Sequence, residues 1–348
     1  MTKSKGYSMK NKIMVAGNII VDYLYPITGY PERGQLTTIE DGCGKSVGGA
    51  VCNVGIDLKR LMPDTEICAL GLVGDDDSGR YALSVMEDEG VNTSLVGKKG
   101  ATSFTYVMSD KISRERTFFQ YRGANAHFSE DSFNWDDIDC DLIHIAYILL
   151  LDELDKEDRE YGTKMARLLA HAKERGIKTS IDVVSETGER FGRLVPPALR
   201  YTDYCIINEI EASRSTGIQL RAEDGALIYE NVKKVLSKLF ELGVSEWAVI
   251  HSPEGGFGMD KDGDYAECGL VYTPSGFIKG KVGAGDAFCA GVLSAAHRGL
   301  SLLDAVKLGN AAATVSLRSP GATEAMETIE ETMRICSELG FEPVKLNK

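Results

Sequence analysis

The chain has 348 residues, and its 37 Gly and 9 Pro fall in no Pro/Ser, Gln/Asn or Gly/Ser tract, which excludes collagen-like, mucin-like and disordered chains. Its charges sum to −13 with no basic face outside the short N-terminal stretch. This argues against a nucleic-acid partner and requires an anionic ligand to be held locally, by backbone N–H groups, a few basic side chains or a metal ion.

In chain order, residues 1–10 read as a basic, polar N-terminal extension without the apolar core of a leader, and the α/β pattern starts at Ile13 to Ala16, a buried strand. Tyr23 to Ser46 reads as extended. Gly49 to Leu61 is helical, with Val51, Val54, Leu58 and Leu61 on one stripe. Strand Glu66 to Leu70 and helix Asp77 to Glu89 follow. Thr102 to Met108 and Thr117 to Arg122, rich in Thr, Phe and Tyr, form a β-hairpin signature. The rhythm resumes with strand Leu142 to Ala146, helix Asp158 to Arg175, strand Lys178 to Val183, strand Tyr204 to Ile207, helix Asn231 to Leu242 and strand Trp247 to His251. Helical patterns over Ala284 to Arg298, Leu302 to Leu317 and Thr328 to Leu339 complete the chain. Eight cysteines without a C-x-x-C pair, and no apolar run of about 18 residues, predict a reduced, soluble, cytoplasmic protein with no membrane partner.

Several positions carry chemistry or mimic it. Gly283-Ala284-Gly285-Asp286 stands where an extended stretch turns into a helix, so glycines let the backbone approach an anion that the free N–H groups stabilise. An Asp there repels a phosphate unless it faces the incoming nucleophile; otherwise it is an ordinary first-turn acid. Gly48-Gly49 with Asn53 one turn on puts an amide near a helix start, which is also common punctuation. Asp22 follows the first strand, at the carboxyl edge where α/β folds bind ligands, or is a turn residue. Asn208-Glu209-Ile210-Glu211 follows a strand and reads either as an N-cap or as oxygen ligands for Mg²⁺ through water. Gly42-Cys43-Gly44-Lys45-Ser46 lacks the first glycine of a P-loop, and no G-x-G-x-x-G opens a helix.

In this order these residues resemble the ribokinase-like, or PfkB, family of carbohydrate and nucleoside kinases. The matches run through Gly17-Asn18, Asp22, Gly48-Gly49…Asn53, Gly71-Leu72-Val73-Gly74-Asp75-Asp76, Gly90-Val91, Asn208-x-x-Glu211, Gly283-Ala284-Gly285-Asp286 and Pro320-Gly321-Ala322, roughly Asn11 to Met326. The resemblance implies one ribokinase-like α/β domain over residues 11–340, with a central mostly parallel sheet flanked by helices and a small β-sheet lid from about 23–46 and 101–125. It implies an ATP-dependent kinase that phosphorylates a primary hydroxyl of a sugar or related small polyol, a nucleoside kinase or a catalytically silent binding protein being the alternatives. Asp286 then matches the catalytic base and Gly283, Ala284 and Gly285 the anion hole. Asp22, Gly48, Gly49 and Asn53 fall on sugar-hydroxyl positions. Asn208 and Glu211 fall on the Mg²⁺ and phosphate positions, Ser252 and Gly256 lie in the nucleotide-facing loop, and Asn310 lies in the helix bordering the adenine.

Departures from the pattern carry expectations of their own. The family's Asp-Thr-x before Gly-Ala-Gly-Asp is Gly280-Lys281-Val282 here, so the first acid of a monovalent-cation site is missing, which argues against K⁺ activation, and Lys281 becomes a candidate cation for the triphosphate. Pro253 replaces a usual Gly in the nucleotide-facing loop. Arg122, a lone guanidinium at the hairpin's end, can clamp an anionic acceptor or be a solvated charge. An apolar lid edge can pair with a second copy of the chain.

Overall fold

The computed structural model of the chain describes residues 10–113, 115–184, 188 and 190–344; nine residues of the N-terminal extension lie outside that range. In chain order its strands are β1 (Lys12–Gly17), β2 (Ile20–Ile27), β3 (Gly44–Gly48), β4 (Glu66–Val73), β5 (Gly97–Lys98), β6 (Phe104–Asp110), β7 (Arg116–Tyr121), β8 (Leu142–Ile148), β9 (Glu157–Asp158), β10 (Gly162–Thr163), β11 (Lys178–Val183), β12 (Tyr204–Asn208), β13 (Trp247–Ser252), β14 (Gly255–Asp260) and β15 (Tyr265–Gly269). The helices are α1 (Ala50–Leu61), α2 (Asp77–Asp88), α3 (Lys164–Glu174), α4 (Phe191–Leu199), α5 (Glu209–Thr216), α6 (Tyr229–Glu241), α7 (Ala284–His297), α8 (Leu302–Ser316) and α9 (Ile329–Leu339).

Nine strands form one sheet in the order β15-β14-β13-β12-β11-β8-β1-β4-β5. Every pair from β13 to β5 is parallel, and β14 and β15 add an antiparallel edge. The parallel strands read as unbroken apolar runs because both faces are covered. Alternate side chains serve two cores: Ile13, Val15, Ile67 and Ala69 pack with α1, α2, α7 and α8, while Met14, Ala16, Cys68 and Leu70 pack on the side of α3 to α6. The free cysteines are buried apart from Cys43. Among the described residues no helix is long and apolar enough to cross a membrane.

A second sheet, β3-β2-β6-β7, stands apart from the large one. The predicted hairpin is its β6–β7 pair, and the predicted extended stretch supplies β2 and β3; β2 begins three residues earlier than expected, and β2 and β6 run parallel. This small separate sheet draws its strands mainly from the two segments expected to form the lid.

Three local expectations are corrected. The helix expected from Asp158 begins at Lys164, because Asp158 Oδ1 accepts from the amides of Glu160 and Tyr161 in a turn, after which Thr163 caps α3 by accepting from Ala166 N. Helix α4 was not expected, and it carries Pro196 and Pro197, residues disfavoured inside a helix. Strands β14 and β15 were hidden by Gly255, Gly256 and Gly258. A Cβ at Gly256 would lie 2.8 Å from Val306 and 3.1 Å from Phe288, so the bare backbone is what lets α7 and α8 pack against that strand.

Candidate active site

The polar residues of the site sit where strands end. Tyr147 lies near the end of β8, Asp182 near the end of β11, Asn208 and His251 at the ends of β12 and β13, and the start of α7 returns to the same edge, the carboxyl edge of the parallel sheet. There the chain leaves two cavities. The larger, about 670 Å³, lies under the small sheet and is lined by Asp22, Lys45, Asn53, Arg116, Phe118 and Lys281 among others. The smaller, about 220 Å³, is lined by Tyr147, Asp182, Asn208, Glu211, His251, Lys281 and residues Gly283 to Asp286.

Asp286 joins the two. Its Oδ2 accepts from Asn53 Nδ2 at 2.9 Å and its Oδ1 accepts from the Tyr147 hydroxyl at 2.6 Å. Asn53 lines the larger cavity and Asp286 the smaller, so one hydrogen bond spans the boundary between them. Burial raises the Asp286 carboxyl above its ordinary range, while the Tyr147 and Asn53 donors pull it back down. Burial keeps the Tyr147 phenol well above its usual value, so it stays a donor. Asn53 Oδ1 is buried with no hydrogen-bond partner among the described residues, an acceptor awaiting a donor. One turn along α1, Asp57 is fully buried with both oxygens unpartnered among the described residues, and burial followed by the charge of Asp286 pushes it well above the carboxylate range.

The start of α7 borders the small cavity. Its N-cap, Gly283, has φ 76°, a left-handed conformation that favours glycine, and no side chain caps the helix. The first amides of a helix have no intrahelical partner, and residues Gly283 to Asp286 line the small cavity. A Cβ on Gly283 would come within 2.7 Å of Ala322 Cβ, and one on Gly280 within 2.6 Å of Ser319 O. The Pro320-Gly321-Ala322 stretch therefore packs on the glycine loop, and the space an acid at position 280 would need is taken by backbone. Gly48 and Gly49 do similar service at α1: a Cβ at Gly48 would overlap the Asp22 carboxylate, and Gly49 has φ 82°.

Helix α5 begins differently. Asn208 Oδ1 accepts from the amides of Ile210 and Glu211, and Glu211 Oε2 accepts from Asn208 N, a reciprocal capping box. Beside it, Asp182 Oδ1 accepts from Val183 N, and burial, then the charges of Glu211 and Asp286, hold its carboxyl well above the usual range. Burial also pushes His251 down to about 4, so its ring is neutral. Lys281 lines both cavities and is exposed, with no hydrogen bond or ion pair among the described residues.

Of the residues singled out in the sequence, the structure brings Asn53, Asn208, Glu211, Lys281 and Gly283 to Asp286 together around the two cavities, with Asp22 under the small sheet, where burial raises its carboxyl and a bond from Thr105 opposes that. Others lie apart. Arg122 lines neither cavity: its Nη1 donates to Leu150 O at 3.2 Å and its Nη2 lies 3.9 Å from Asp152. The Asn310 amide donates to the carbonyls of Cys268 and Gly269, tying α8 to the end of β15. Ser252 Oγ donates to Glu254, and Gly256 is a packing glycine. Sequence reasoning missed Tyr147 and Asp182 and passed over His251. The last two are polar residues at or near the ends of apolar strand runs, a signal available in the sequence; Tyr147, inside the run from Leu142 to Ile148, looks like any aromatic strand residue.

Comparison with known proteins identifies the family. Residues 10–329 match the pfkB family carbohydrate kinase domain. The chain is 24% identical to the 5-dehydro-2-deoxygluconokinase of Geobacillus thermodenitrificans, over 82% of this chain and 83% of that one, and 24% identical to the nucleoside kinase of Methanocaldococcus jannaschii, over 92% and 95%. Its fold superposes on the Arabidopsis thaliana ribokinase complexed with ribose and ATP with a TM-score of 0.76, at 19% identity, over 93% of this chain and 98% of that one. With its glycine loop, its buried Asp286 and its small sheet over the larger cavity, this chain belongs to the pfkB family of carbohydrate kinases and is a sugar or nucleoside kinase of that family.

Proposed function

We propose that the protein transfers the γ-phosphoryl group of ATP to a primary hydroxyl of a sugar, free or within a nucleoside, with Asp286 as the base. The observation that carries this is the Asn53–Asp286 hydrogen bond at the boundary of the two cavities. The acceptor hydroxyl lies in the larger cavity against Asp286, and the phosphate chain lies in the smaller one. Asp22 accepts from sugar hydroxyls, and the orphaned Asn53 Oδ1 takes another.

Phosphoryl transfer passes through a loose transition state, so positioning and charge stabilisation dominate. Asp286 orients the hydroxyl and accepts its proton as the new O–P bond forms. The amides opening α7 and the Lys281 ammonium stabilise the charge on the transferring oxygens. The small sheet covers the acceptor and excludes water.

The carboxylates of Asp182, Glu211 and Asp286 facing one small cavity favour a divalent cation, and an oxygen-only donor set suits Mg²⁺. Among the described residues no group of three His, Cys, Asp or Glu side chains can hold a metal ion, so Glu211, Asp182 and Asn208 would hold it through water and the phosphates. When bound, the ion neutralises charge on the phosphate oxygens. Gly280 brings no carboxylate to the glycine loop, and turnover proceeds without K⁺ activation. The exposed aromatic rings of Tyr106, Phe119 and Tyr121 on the small sheet support pairing of lids between two copies of a cytoplasmic, single-domain enzyme.

The test is acceptor-dependent ADP release over a panel of sugars, sugar acids and nucleosides, with the product located by phosphorus NMR. Phosphorylation at a primary hydroxyl that disappears in Asp286→Asn supports the reading; a phosphorylated product formed equally well by that variant refutes it.

A further inference from the structure

Strand pairing sorts the inner face of the small sheet into three rows. Asp22 pairs with Ser46 and Thr105, and Thr105 with Gln120; two residues on, Leu24 pairs with Val107 and Val107 with Phe118; two further, Pro26 pairs with Ser109 and Ser109 with Arg116. Because residues two apart share a face, all three rows look the same way, about 6.6 Å from one row to the next. Asp22, Ser46, Leu24, Val107, Phe118 and Arg116 line the larger cavity. Outward from the reacting centre, its roof is first polar, then apolar, then cationic.

Each row selects. Phe118 is 63% exposed, a large aromatic face in no ring contact among the described residues, and Ile56, Tyr81, Val85 and Val282 line other walls of the same cavity. The Arg116 side chain lines the cavity and makes no hydrogen bond, ion pair or ring contact among the described residues, although the chain is strongly acidic. A pentose held at the first row leaves the second and third untouched. A longer polyol would strip water from its hydroxyls against Leu24, Val107 and Phe118 without replacing the lost bonds. A sugar acid or sugar phosphate satisfies Arg116 but likewise crosses the apolar row with polar groups. A planar heterocycle carried on the sugar meets both outer rows: its π-face stacks on Phe118, and its ring nitrogens and carbonyl oxygens accept from the Arg116 guanidinium.

We infer that the acceptor is a nucleoside, its ribose at Asp22 and Asn53, its base on the row of Leu24, Val107 and Phe118, and the base's acceptor edge at Arg116. This rests on the proposed phosphoryl transfer for the orientation of the sugar, and not for the binding of the base. Phe118 and Arg116 are thus specificity residues remote from the reacting atoms.

The experiment pairs calorimetric binding with steady-state kinetics for ribose, fructose, gluconate, ribose 5-phosphate and the common nucleosides, on the wild type, Phe118→Ala and Arg116→Ala. Both side chains are exposed, so both variants should fold. The expected result is nucleoside kcat/KM at least about a hundredfold above any free sugar. Phe118→Ala should raise the nucleoside KM about tenfold or more at near-constant kcat, and leave that of ribose unmoved. Arg116→Ala should raise KM for purine nucleosides with a 6-oxo group more than for those without one. Preference for a free sugar with a silent Phe118→Ala overturns the inference and leaves the phosphoryl transfer standing. Preference for a sugar acid or phosphate that is lost in Arg116→Ala and untouched in Phe118→Ala overturns it in favour of an anionic acceptor. Nucleosides that bind in a Phe118-dependent way without being phosphorylated support the base site and refute the proposed reaction; nucleosides that do not bind refute the inference alone.

Discussion

Two helices of this molecule begin at the same edge of the large sheet, each with acids in its first turn, and they meet their surroundings in opposite ways. Helix α5 is closed by its own side chains: Asn208 accepts from two of its amides, and Glu211 turns back to the Asn208 N–H. Helix α7 begins at Gly283, which has no side chain to offer, and its acid, Asp286, bonds Asn53 and Tyr147 from other elements. One helix start is therefore closed by its own side chains and the other leaves its first amides uncapped, although both sequences read as ordinary acidic first turns. The deciding residue is the cap. An Asn cap satisfies the local amides, whereas a left-handed glycine leaves them for a ligand.

The contrast is broken most severely at Asp286. Asp286→Asn keeps the size and the α7 start but removes the carboxylate proposed above as the proton acceptor, and kcat should fall about a hundredfold or more while the Kd for ATP stays within a few-fold. Calorimetry and turnover on one preparation decide it; loss of ATP binding in step with kcat would mean that Asp286 organises the helix start instead. A smaller effect is expected at Lys281, the exposed cation lining both cavities. In Lys281→Ala, kcat/KM for ATP should drop about tenfold, the scale of one lost charge-assisted hydrogen bond. An unchanged ATP profile would leave the open amides of α7 to hold the phosphates unaided.

On the other helix the same surgery should be felt first in stability. Asn208→Ala removes a cap whose loss costs about 1 kcal/mol, and thermal unfolding should report it as a lower Tm. Because Asn208 also faces the small cavity, the Mg²⁺ needed for half-maximal rate should rise. A variant with an unaltered Tm and a kcat collapse like that of Asp286→Asn would erase the distinction between the two helix starts.

Sequence reasoning reached far along one kind of information and stopped at another. Apolar runs buried on both faces and amphipathic stripes mark most strands and helices of the large sheet, because burial imposes period and length locally. Glycine loops are equally visible, since Gly283 and Gly49 answer to backbone demands written in one residue. What could not be read is pairing at a distance. Nothing in the run from Leu142 to Ile148 says that Tyr147 turns its hydroxyl to an acid 139 positions away, and nothing near Arg122 says that its guanidinium goes to Leu150 O while Arg116 faces the cavity. Strand β14 failed for a third reason: its glycines satisfy neighbouring helices, not the strand itself.

The smallest effect tests Tyr147, and its sign follows from the partners of Asp286. A base must be ionised to act, so activity is lost as pH falls through its pKa. Burial raises that pKa, placing the acid limb of kcat/KM above the value of about 3.9 for a free Asp, provided Asp286 is the titrating group. The Tyr147 hydroxyl bonds the carboxylate and so favours the ionised form, opposing burial. In Tyr147→Phe the ring and its packing remain while that bond goes, so the acid limb should move to higher pH, by roughly one unit or less because water or the acceptor hydroxyl can substitute in part. The rate on the plateau above the limb should change far less than in Asp286→Asn. Rate profiles from pH 4.5 to 9 on wild type and variant, with circular dichroism to confirm folding at the acid end, measure the displacement. A limb that stays put, or moves down, would mean that Tyr147 does not tune the base, and would leave Asn53 as the partner that keeps Asp286 charged.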